Sequence, residues 1–464
     1  MGGCITGGLT FRRLLKARAK MPKNELGGSK TPAFAIECIT PKDKSSSFTA
    51  PFKTLLALKR SSRKADRLAF ASYADRRWLQ EQFRRHRKEL IRLGDAVRAN
   101  NISKERSQIQ RVLMSFAGRA CAVIRVAQKD KLPVLPQPFN RKAFEVFVNS
   151  FSLNAPLPGK ARIVLVPKNH GKVRPTLEFG WEVKAAQLLL SDVLAAKGFV
   201  NPFEFNCARK GRNRAASQVK DYIEEGYRNV VIADIKDCYS SIGPKHLEWL
   251  KLPPKVIRYS VFPNADIPIE CLDNQSGFLK AARHGLPQGA MLSGKIASGL
   301  IGRVLQTLSG DIRVRSYTDD VAICARTPAA ADDIACAIKR GFEQLKAGPL
   351  AFKYLEVCDI VEGFSFLNYR FRWEKENVHI FPDHAAFKNL ETNLRRLMTD
   401  LSDLNLDQKV ARAEQYAKNW RTSHSLWHAN KFAISNLAEF LHQTVYESGT
   451  ISSKHYKPVL QIFP

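Results

Sequence analysis

Three aspartates stand where strand-forming runs end. Asp234 closes the apolar run Val230–Ala233, and the pair Asp319–Asp320 lies at the tip of a predicted β-hairpin. A carboxylate at the end of a buried strand is costly unless it is paired or bound to a metal, and a divalent cation removes the repulsion between adjacent carboxylates. Together they predict a site for two Mg²⁺ ions, with Mn²⁺ as an alternative, that activates a hydroxyl nucleophile. Asp237 is expected to face solvent instead.

Two other segments carry groups suited to a nucleotide. Lys168 and Arg174 lie on either side of an Asn-His-Gly turn, and two cations there could hold a triphosphate. The loop Gly285–Gly289 predicts a sharp turn before a helix, in which Gly289 allows a close approach to the backbone. Taken alone, a basic hairpin, a glycine loop and an Asp-Asp turn each have an ordinary structural explanation.

Taken in the order in which they follow along the chain, these segments resemble the fingers and palm of reverse transcriptases, from about Pro158 to Trp373. Asp234 matches the first catalytic aspartate of that family. Tyr317–Asp320 matches its Tyr-x-Asp-Asp box, and Leu286–Gly289 matches its Pro-Gln-Gly motif. Retron, group II intron-related and defence-associated bacterial members are the most similar.

Two further motifs are matched loosely. Phe205–Ala216 resembles the family's Gly-Phe-Arg-x-Gly-Arg-Ser segment, and Phe364–Tyr369 resembles its primer grip. In the second motif Asn368 replaces the usual glycine, which leaves the local turn, and so the grip, in question.

The resemblance implies nucleotide-binding roles for matched residues. Lys168 and Arg174 would bind the triphosphate of a dNTP, and Gln288 with Gly289 would position the nucleotide and the template. The catalytic and metal-binding residues would be Asp234, Asp319 and Asp320.

Two more roles follow from the resemblance. Tyr239 lies five residues after Asp234, where the family has an aromatic side chain that clashes with a ribose 2′-hydroxyl, so dNTPs are favoured. Lys353 is the candidate general acid that protonates the leaving pyrophosphate.

The charge of the chain points to a polyanionic partner. There are 74 Lys and Arg against 43 Asp and Glu, for a net charge of +31, and residues 1–150 hold 32 of the basic but only 11 of the acidic residues. Basic side chains neutralise phosphates and release counterions. The expected partners are an RNA template, a DNA or RNA primer and, as a further candidate, a dedicated noncoding RNA. The candidate nucleic-acid-binding residues are Arg84, Arg85, Arg87, Lys88, Arg209 and Arg212.

Composition bounds the fold class. With 44% hydrophobic and 25% charged residues the chain is globular, and it lacks an apolar run of about 18 residues, so no membrane segment is expected. The nine cysteines form no CxxC pair, which favours a reducing cytoplasm. The Met-Gly-Gly-Cys-Ile-Thr start fits a loose myristoylation pattern, yet residues 1–24 also fit a transit peptide, and we favour a flexible basic leader over both.

The predicted fold is α+β: a right-hand polymerase with fingers, an antiparallel palm sheet with helices, a helical thumb and a basic, mainly helical N-terminal extension. Apolar spacing predicts helices over 65–100 and 106–128, paired as a basic hairpin, and over 387–404 and 425–446. His424 and His428 are expected on the thumb surface, not on zinc. The predicted boundaries are 1–55 for the leader, 56–150 for the extension, 151–233 for the fingers, 234–375 for the palm and 376–464 for the thumb.

The main hypothesis is an RNA-directed DNA polymerase in a bacterial anti-phage setting. That setting rests on elimination within the family: the chain has no RNase H-like, HNH-like or integrase-like pattern. One rival is untemplated or protein-primed DNA synthesis at the same site. The other is a non-catalytic RNA-binding scaffold, against which the three intact aspartates argue.

Overall fold

The computed structural model describes residues 72–130, 139–150, 152–167, 173–199, 201–206, 210–399 and 406–427. They all lie in the larger of the two units into which the chain divides, Glu37–Pro464. Helices and mainly antiparallel sheets are interspersed along them, which confirms the predicted α+β class. Among these residues, every helix is too short or too polar to cross a bilayer.

The longer helices in this part of the chain are α1 (Tyr73–Arg98), α2 (Ile102–Met114), α3 (Phe116–Asp130), α4 (Arg141–Asn149), α5 (Trp181–Ala196), α6 (Arg212–Glu224), α7 (Ser293–Leu305), α8 (Pro328–Glu343), α9 (His384–Thr399) and α10 (Leu406–Ser423). The strands are β1 (Ala161–Pro167), β2 (Val173–Phe179), β3 (Asn229–Ile235), β4 (Ile269–Glu270), β5 (Ile312–Tyr317), β6 (Asp320–Ala325), β7 (Phe352–Asp359), β8 (Phe364–Phe366), β9 (Tyr369–Glu374) and β10 (Asn377–Pro382). Short helical turns cover Cys238–Ser241, Pro244–Leu250, Pro254–Val256, Ile257–Val261, Pro263–Ala265, Asp273–Phe278 and Leu279–Ala282.

The N-terminal helices contain a break that the sequence analysis missed. One helix was expected over 106–128, and this expectation is wrong because α2 ends before Ser115 and α3 begins after it. Ser115 is extended, with φ −68° and ψ 137°. Its hydroxyl accepts the backbone N–H of Gly118 at 3.0 Å, so this serine caps the start of α3.

The first sheet has the order β2-β1-β4, with β1 and β2 antiparallel. On its inner face Ile163 and Leu177 are buried in the same core as α5. The opposite face carries Arg174, which is exposed. This sheet therefore has one covered face and one face that carries the exposed Arg174.

The second sheet, in the order β5-β6-β3-β7, is antiparallel throughout. Its inner strand β3 is apolar without alternation because both of its faces are buried. Val231 and Ala233 enter the core shared with α5, whereas Val230 and Ile232 enter a second core with β8, β9 and α6. The strand is thus fixed from both sides.

The N-terminal helices pack onto α5 and share its core. At this junction His86 of α1 and Asp192 of α5 are buried, with Nε2 and Oδ2 3.1 Å apart, and Arg125 of α3 donates to the same Oδ2 at 2.5 Å. Burial raises the pKa of Asp192, but Arg125 and His86 outweigh burial and lower it below the usual range. A buried ion pair of this kind fixes how three helices meet.

The third sheet, β10-β9-β8, precedes the two C-terminal helices. Helices were expected from 376 onward, and this is wrong for Asn377–Pro382, which form β10 against β9. The predicted helix over 387–404 corresponds to α9. The helix predicted over 425–446 and His428 lie outside the described residues from 428 onward.

The surface position expected for His424 is wrong. Only 3% of His424 is exposed. Its ring packs 4.3 Å from that of Trp420, centroid to centroid, and 5.5 Å from that of Tyr369. Burial lowers the pKa of His424, so the ring is held neutral.

The buried pair predicts a marked stability effect. Asp192→Ala should lower the free energy of unfolding by about 3–5 kcal/mol, because it leaves Arg125 buried without its counter-charge. Urea denaturation of the full chain measures this. Asp95→Ala, which removes an exposed ion pair with Arg98, is the matched control and should change it by less than about 1 kcal/mol. Equal losses in the two variants would contradict the role given to Asp192.

Candidate active site

Strand register brings the three aspartates together. Asp234 on β3 lies directly opposite Asp320 on β6. Tyr317 pairs with Asp320, so Thr318 and Asp319 form the two-residue turn between β5 and β6. The predicted hairpin is confirmed, and its tip lies at the end of the sheet at which β3 also ends.

The turn has an unfavourable backbone conformation. Thr318 has φ 62°, which a β-branched residue rarely adopts. Its hydroxyl accepts the side-chain N–H of Asn206 at 2.8 Å, and its backbone N–H donates to buried Glu204 at 3.4 Å. Ser316 forms backbone hydrogen bonds with Phe203 and Phe205. The segment 203–206 thus holds Asp319 in place, and sequence reasoning assigned no role to Glu204 or Asn206.

A β-bulge directs Lys353 into the site. Asp234 pairs with Tyr354 and Ile235 with Phe352, so Lys353 is the extra residue of β7. A bulge bends the strand and changes the direction of a side chain. Lys353 Nζ donates to Asp234 Oδ2 at 2.7 Å. The lysine that the sequence analysis selected therefore contacts the first aspartate directly.

Like charges and burial shape the protonation of the site. Burial, then Asp319 and Asp234, raise the pKa of Asp320 to about 7, although Lys353 and the Tyr354 hydroxyl oppose this. Burial also raises the pKa of Asp319, against the charges of Arg174 and Lys353. The hydrogen bond to Asp234 raises the pKa of Lys353. The site holds negative charge that needs a cation nearby.

The carboxylates suit a hard cation by chemistry. Mg²⁺ prefers oxygen ligands and is usually bound by one or two carboxylates together with substrate phosphates. The described residues contain no group of three or more His, Cys, Asp or Glu side chains already arranged around a metal position. Lys353 Nζ instead occupies Asp234 Oδ2. The donor set and its charge fit the cation.

The Pro-Gln-Gly loop packs against strand β2 of the first sheet. Gly289 has φ 94°, and a Cβ there would lie 2.5 Å from the carbonyl of Leu177. The backbone N–H of Leu177 donates to the Gln288 carbonyl at 2.8 Å. The close approach expected at Gly289 is therefore made by β2. Gln288 Oε1 is buried and lacks a hydrogen-bond partner within the described residues, which is costly for a buried amide oxygen.

The same loop fixes Tyr239. The backbone N–H of Leu286 donates to the Tyr239 carbonyl at 2.7 Å. Gly285 has φ 61°, and a Cβ there would lie 2.5 Å from that same carbonyl. Tyr239 is half-buried and packs against the core. The candidate sugar-contacting aromatic is thus held beside the Gly285–Gly289 loop.

The structure describes only some of the other residues singled out in the sequence. Lys168 and Arg209 lie outside the described residues. Asp237 is exposed, as expected. Arg212 contacts the Ser423 carbonyl, and its guanidinium lies 5.5 Å from the Tyr369 ring, so it joins α6 to the end of α10.

The predicted nucleic-acid-binding residues on α1 are all exposed. They are Arg84, Arg85, Arg87 and Lys88.

The turn of the candidate primer grip tolerates its asparagine. Leu367 and Asn368 have φ 54° and 62°, as in the two-residue hairpin turn in which both central residues are left-handed. Asparagine adopts this conformation more readily than most residues, so Asn368 suits the turn. The next residue, Tyr369, donates its hydroxyl to Asn213 Oδ1 at 3.0 Å. This hairpin is therefore connected to α6.

Residues 166–348 match the family described as reverse transcriptase (RNA-dependent DNA polymerase). This segment is a reverse transcriptase domain. The match includes Arg174, Asp234, Gln288, Asp319 and Asp320 and ends before Lys353. The family resemblance predicted from the motifs is confirmed over this segment. No curated protein matches the chain.

Solved structures similar to this chain include telomerases. One is telomerase from Candida albicans in complex with a TWJ fragment of telomeric RNA, with TM-score 0.30, 12% identity and coverage of 67% of this chain and 62% of that one. Another is apo telomerase from Candida tropicalis, with TM-score 0.36, 12% identity and coverage of 66% and 64%. A third, truncated from its C-terminal domain, has TM-score 0.34, 12% identity and coverage of 48% and 55%. The chain spans less than two thirds of the length of each.

The raised pKa of Asp320 predicts a pH-dependent stability difference. When a carboxyl has a higher pKa in the folded state than in the unfolded state, the folded protein loses stability as the pH rises between the two values. For Asp320 these are near 4 in the unfolded state and about 7 in the folded state. Asp320→Asn abolishes this loss. Without divalent cations, the free energy of unfolding of the variant should rise relative to wild type by a few kcal/mol between pH 4 and pH 7. Above pH 7 the difference should stay constant. Urea denaturation at several pH values measures it, and a pH-independent gap would refute the assignment.

Proposed function

We propose that the chain is an RNA-directed DNA polymerase that adds dNTPs to a primer 3′-hydroxyl. The observation that carries the proposal is the convergence of Asp234, Asp319 and Asp320 within a reverse transcriptase domain. A structural role does not account for the cluster, because like charges gathered in a half-buried site oppose folding. Their benefit lies in holding cations.

The proposed cofactor is a pair of Mg²⁺ ions, with Mn²⁺ as an alternative, held by Asp234, Asp319 and Asp320. When bound, such ions polarise the primer hydroxyl and the phosphate and stabilise the leaving pyrophosphate. The side chains of the protein must present carboxylate oxygens at one end of the sheet. The Thr318 turn and the β3–β6 register do this for Asp319 and Asp320.

Cations around the aspartates suit a triphosphate. Arg174 is exposed and close enough to lower the pKa of Asp319, so its guanidinium can bind phosphate oxygens bidentately at the edge of the site. Lys168 is proposed as its partner from the sequence. Lys353 carries a raised pKa, so it holds its proton and can donate it to the leaving pyrophosphate.

The remaining proposed roles concern nucleotide choice and alignment. Tyr239 would exclude a ribose 2′-hydroxyl, and Gln288, whose Oε1 is unpartnered within the described residues, would contact the nucleotide or template. Gly289 would act by letting the loop lie on β2. The expected partners are an RNA template, a DNA or RNA primer, and a dedicated noncoding RNA; the cytoplasmic location and the anti-phage setting remain predictions of the sequence.

The experiment is dNTP incorporation by the purified full chain with Mg²⁺, with and without an RNA template and primer. Asp319→Ala/Asp320→Ala should lower incorporation by at least about a thousandfold, because ligands for both ions are lost. Asp237→Ala is the matched control. It removes an exposed carboxylate close to Asp234 in the chain, and it should retain near wild-type activity.

The outcomes separate the rival functions. Template-complementary DNA that disappears in the double variant supports reverse transcription. DNA whose composition ignores the template supports untemplated or protein-primed synthesis at the same site. RNA binding without incorporation by any form would favour the scaffold and contradict the proposal.

A further inference from the structure

The outer surface of α1 and α2 concentrates positive charge. Its only fully exposed acidic side chain is Asp95. We call this surface the α1–α2 basic face, and its exposed cations are Arg77, Arg84, Arg85, Arg87, Lys88, Arg92, Arg98, Lys104, Arg106 and Arg111.

Helix geometry arranges part of this face as a stripe. Arg77, Arg84, Lys88 and Arg92 are separated by seven, four and four residues, so they lie on one side of α1. At 1.5 Å per residue the stripe is about 22 Å long. A row of cations of this length matches a nucleic-acid backbone better than a small anion.

Few of these cations are neutralised internally. Arg84 and Arg85 share Glu81, and Arg98 pairs with Asp95. Exposed ion pairs of this kind contribute little to the stability of the protein. Within the described part of the chain the other members of the face form no salt bridge. They are Arg77, Arg87, Lys88, Arg92, Lys104, Arg106 and Arg111.

The face lies away from the three aspartates and from the Arg174 side of the β1–β2 sheet, which together we call the catalytic cleft. His86, on the opposite side of α1 from Lys88, is buried against Asp192 of α5. Helix α5 in turn covers the inner face of the β1–β2 sheet, where Ile163 is buried. Arg174 is on the other face of that sheet, beside Asp319. Two layers, α5 and the sheet, therefore separate the basic face from the aspartates.

We propose that the α1–α2 basic face binds a double-stranded segment of RNA outside the catalytic cleft. The choice of RNA rests on the proposed function, which supplies an RNA substrate. The position of the face does not depend on that function. Eight of its ten cations are arginines, which grip phosphates bidentately, and A-form duplexes are recognised mainly through their backbone and 2′-hydroxyls.

The composition of the face argues against a lipid surface. Its exposed large apolar side chains are Ile91, Ile102 and Met114. A helix that lies in a membrane interface needs a continuous apolar face with Trp, Phe or Leu, and the apolar side of α1 is instead buried against α5. A membrane is therefore an alternative outcome of the test.

The test compares two triple variants of the full chain that remove equal charge. The first is Arg77→Gln/Lys88→Gln/Arg92→Gln on the basic face. The matched control is Lys255→Gln/Lys339→Gln/Lys346→Gln, at exposed positions elsewhere. Fluorescence anisotropy measures binding of a blunt 20-base-pair RNA duplex at several salt concentrations, and equal melting temperatures verify that both variants fold.

The basic-face variant should bind the duplex at least about tenfold more weakly, with a salt slope reduced by about 2 to 3, since each lost phosphate contact removes nearly one released counterion. The control should keep wild-type affinity to within about threefold. A primer–template with a short single-stranded overhang should not displace the duplex, because the primer–template binds in the catalytic cleft.

Several results would overturn the proposal. They are equal losses in both variants, no loss in either, displacement of the duplex by the primer–template, and tighter binding of a DNA duplex of the same sequence. Loss of binding to phosphatidylserine vesicles with RNA binding intact would assign the face to a membrane. Because binding is measured without dNTPs, a chain that fails to polymerise still gives a decisive result here.

Discussion

The structure depends on bringing three negative charges together at one end of a sheet. Burial and mutual repulsion raise the pKa of Asp320 to about 7, so the arrangement is unfavourable without a cation. Lys353 offsets part of the charge through its contact with Asp234. The rest of the palm must be rigid enough to hold the carboxylates against their repulsion, and this requirement explains much of its construction.

The rigidity has two sources that act on different aspartates. Asp234 ends a strand whose side chains enter two hydrophobic cores, so β3 cannot move away without exposing both. Asp319 sits in a turn whose φ of 62° at Thr318 is unfavourable, and Glu204 and Asn206 stabilise that turn by hydrogen bonds. Strain at a functional turn persists when its surroundings determine it in this way.

The sequence predicted that the aspartates would meet better than it predicted the contacts that hold them in place. The aspartates, the hairpin and the α+β class could be predicted because they depend on local pattern, namely an apolar run, a turn and residue types. Glu204, Asn206 and the bulge at Lys353 could not, since each depends on contacts between segments far apart in the chain. His424 was placed on the surface because a polar side chain in a helix gives no local sign that Trp420 and Tyr369 will enclose it. The break at Ser115 left the apolar spacing intact and was hidden for that reason.

The most direct test of the role proposed for the three aspartates is their binding of a metal ion, measured without catalysis. Electron paramagnetic resonance can titrate Mn²⁺ into the full chain at pH 8, above the raised pKa of Asp320, for wild type, Asp234→Asn, Asp320→Asn and the exposed control Asp237→Asn. If the aspartates hold the cation, Asp234→Asn and Asp320→Asn should bind Mn²⁺ at least about tenfold more weakly than wild type, since each loses a charged ligand, and the control should be unchanged. Equal affinity in all four proteins would contradict the claim that these carboxylates are gathered to hold a cation.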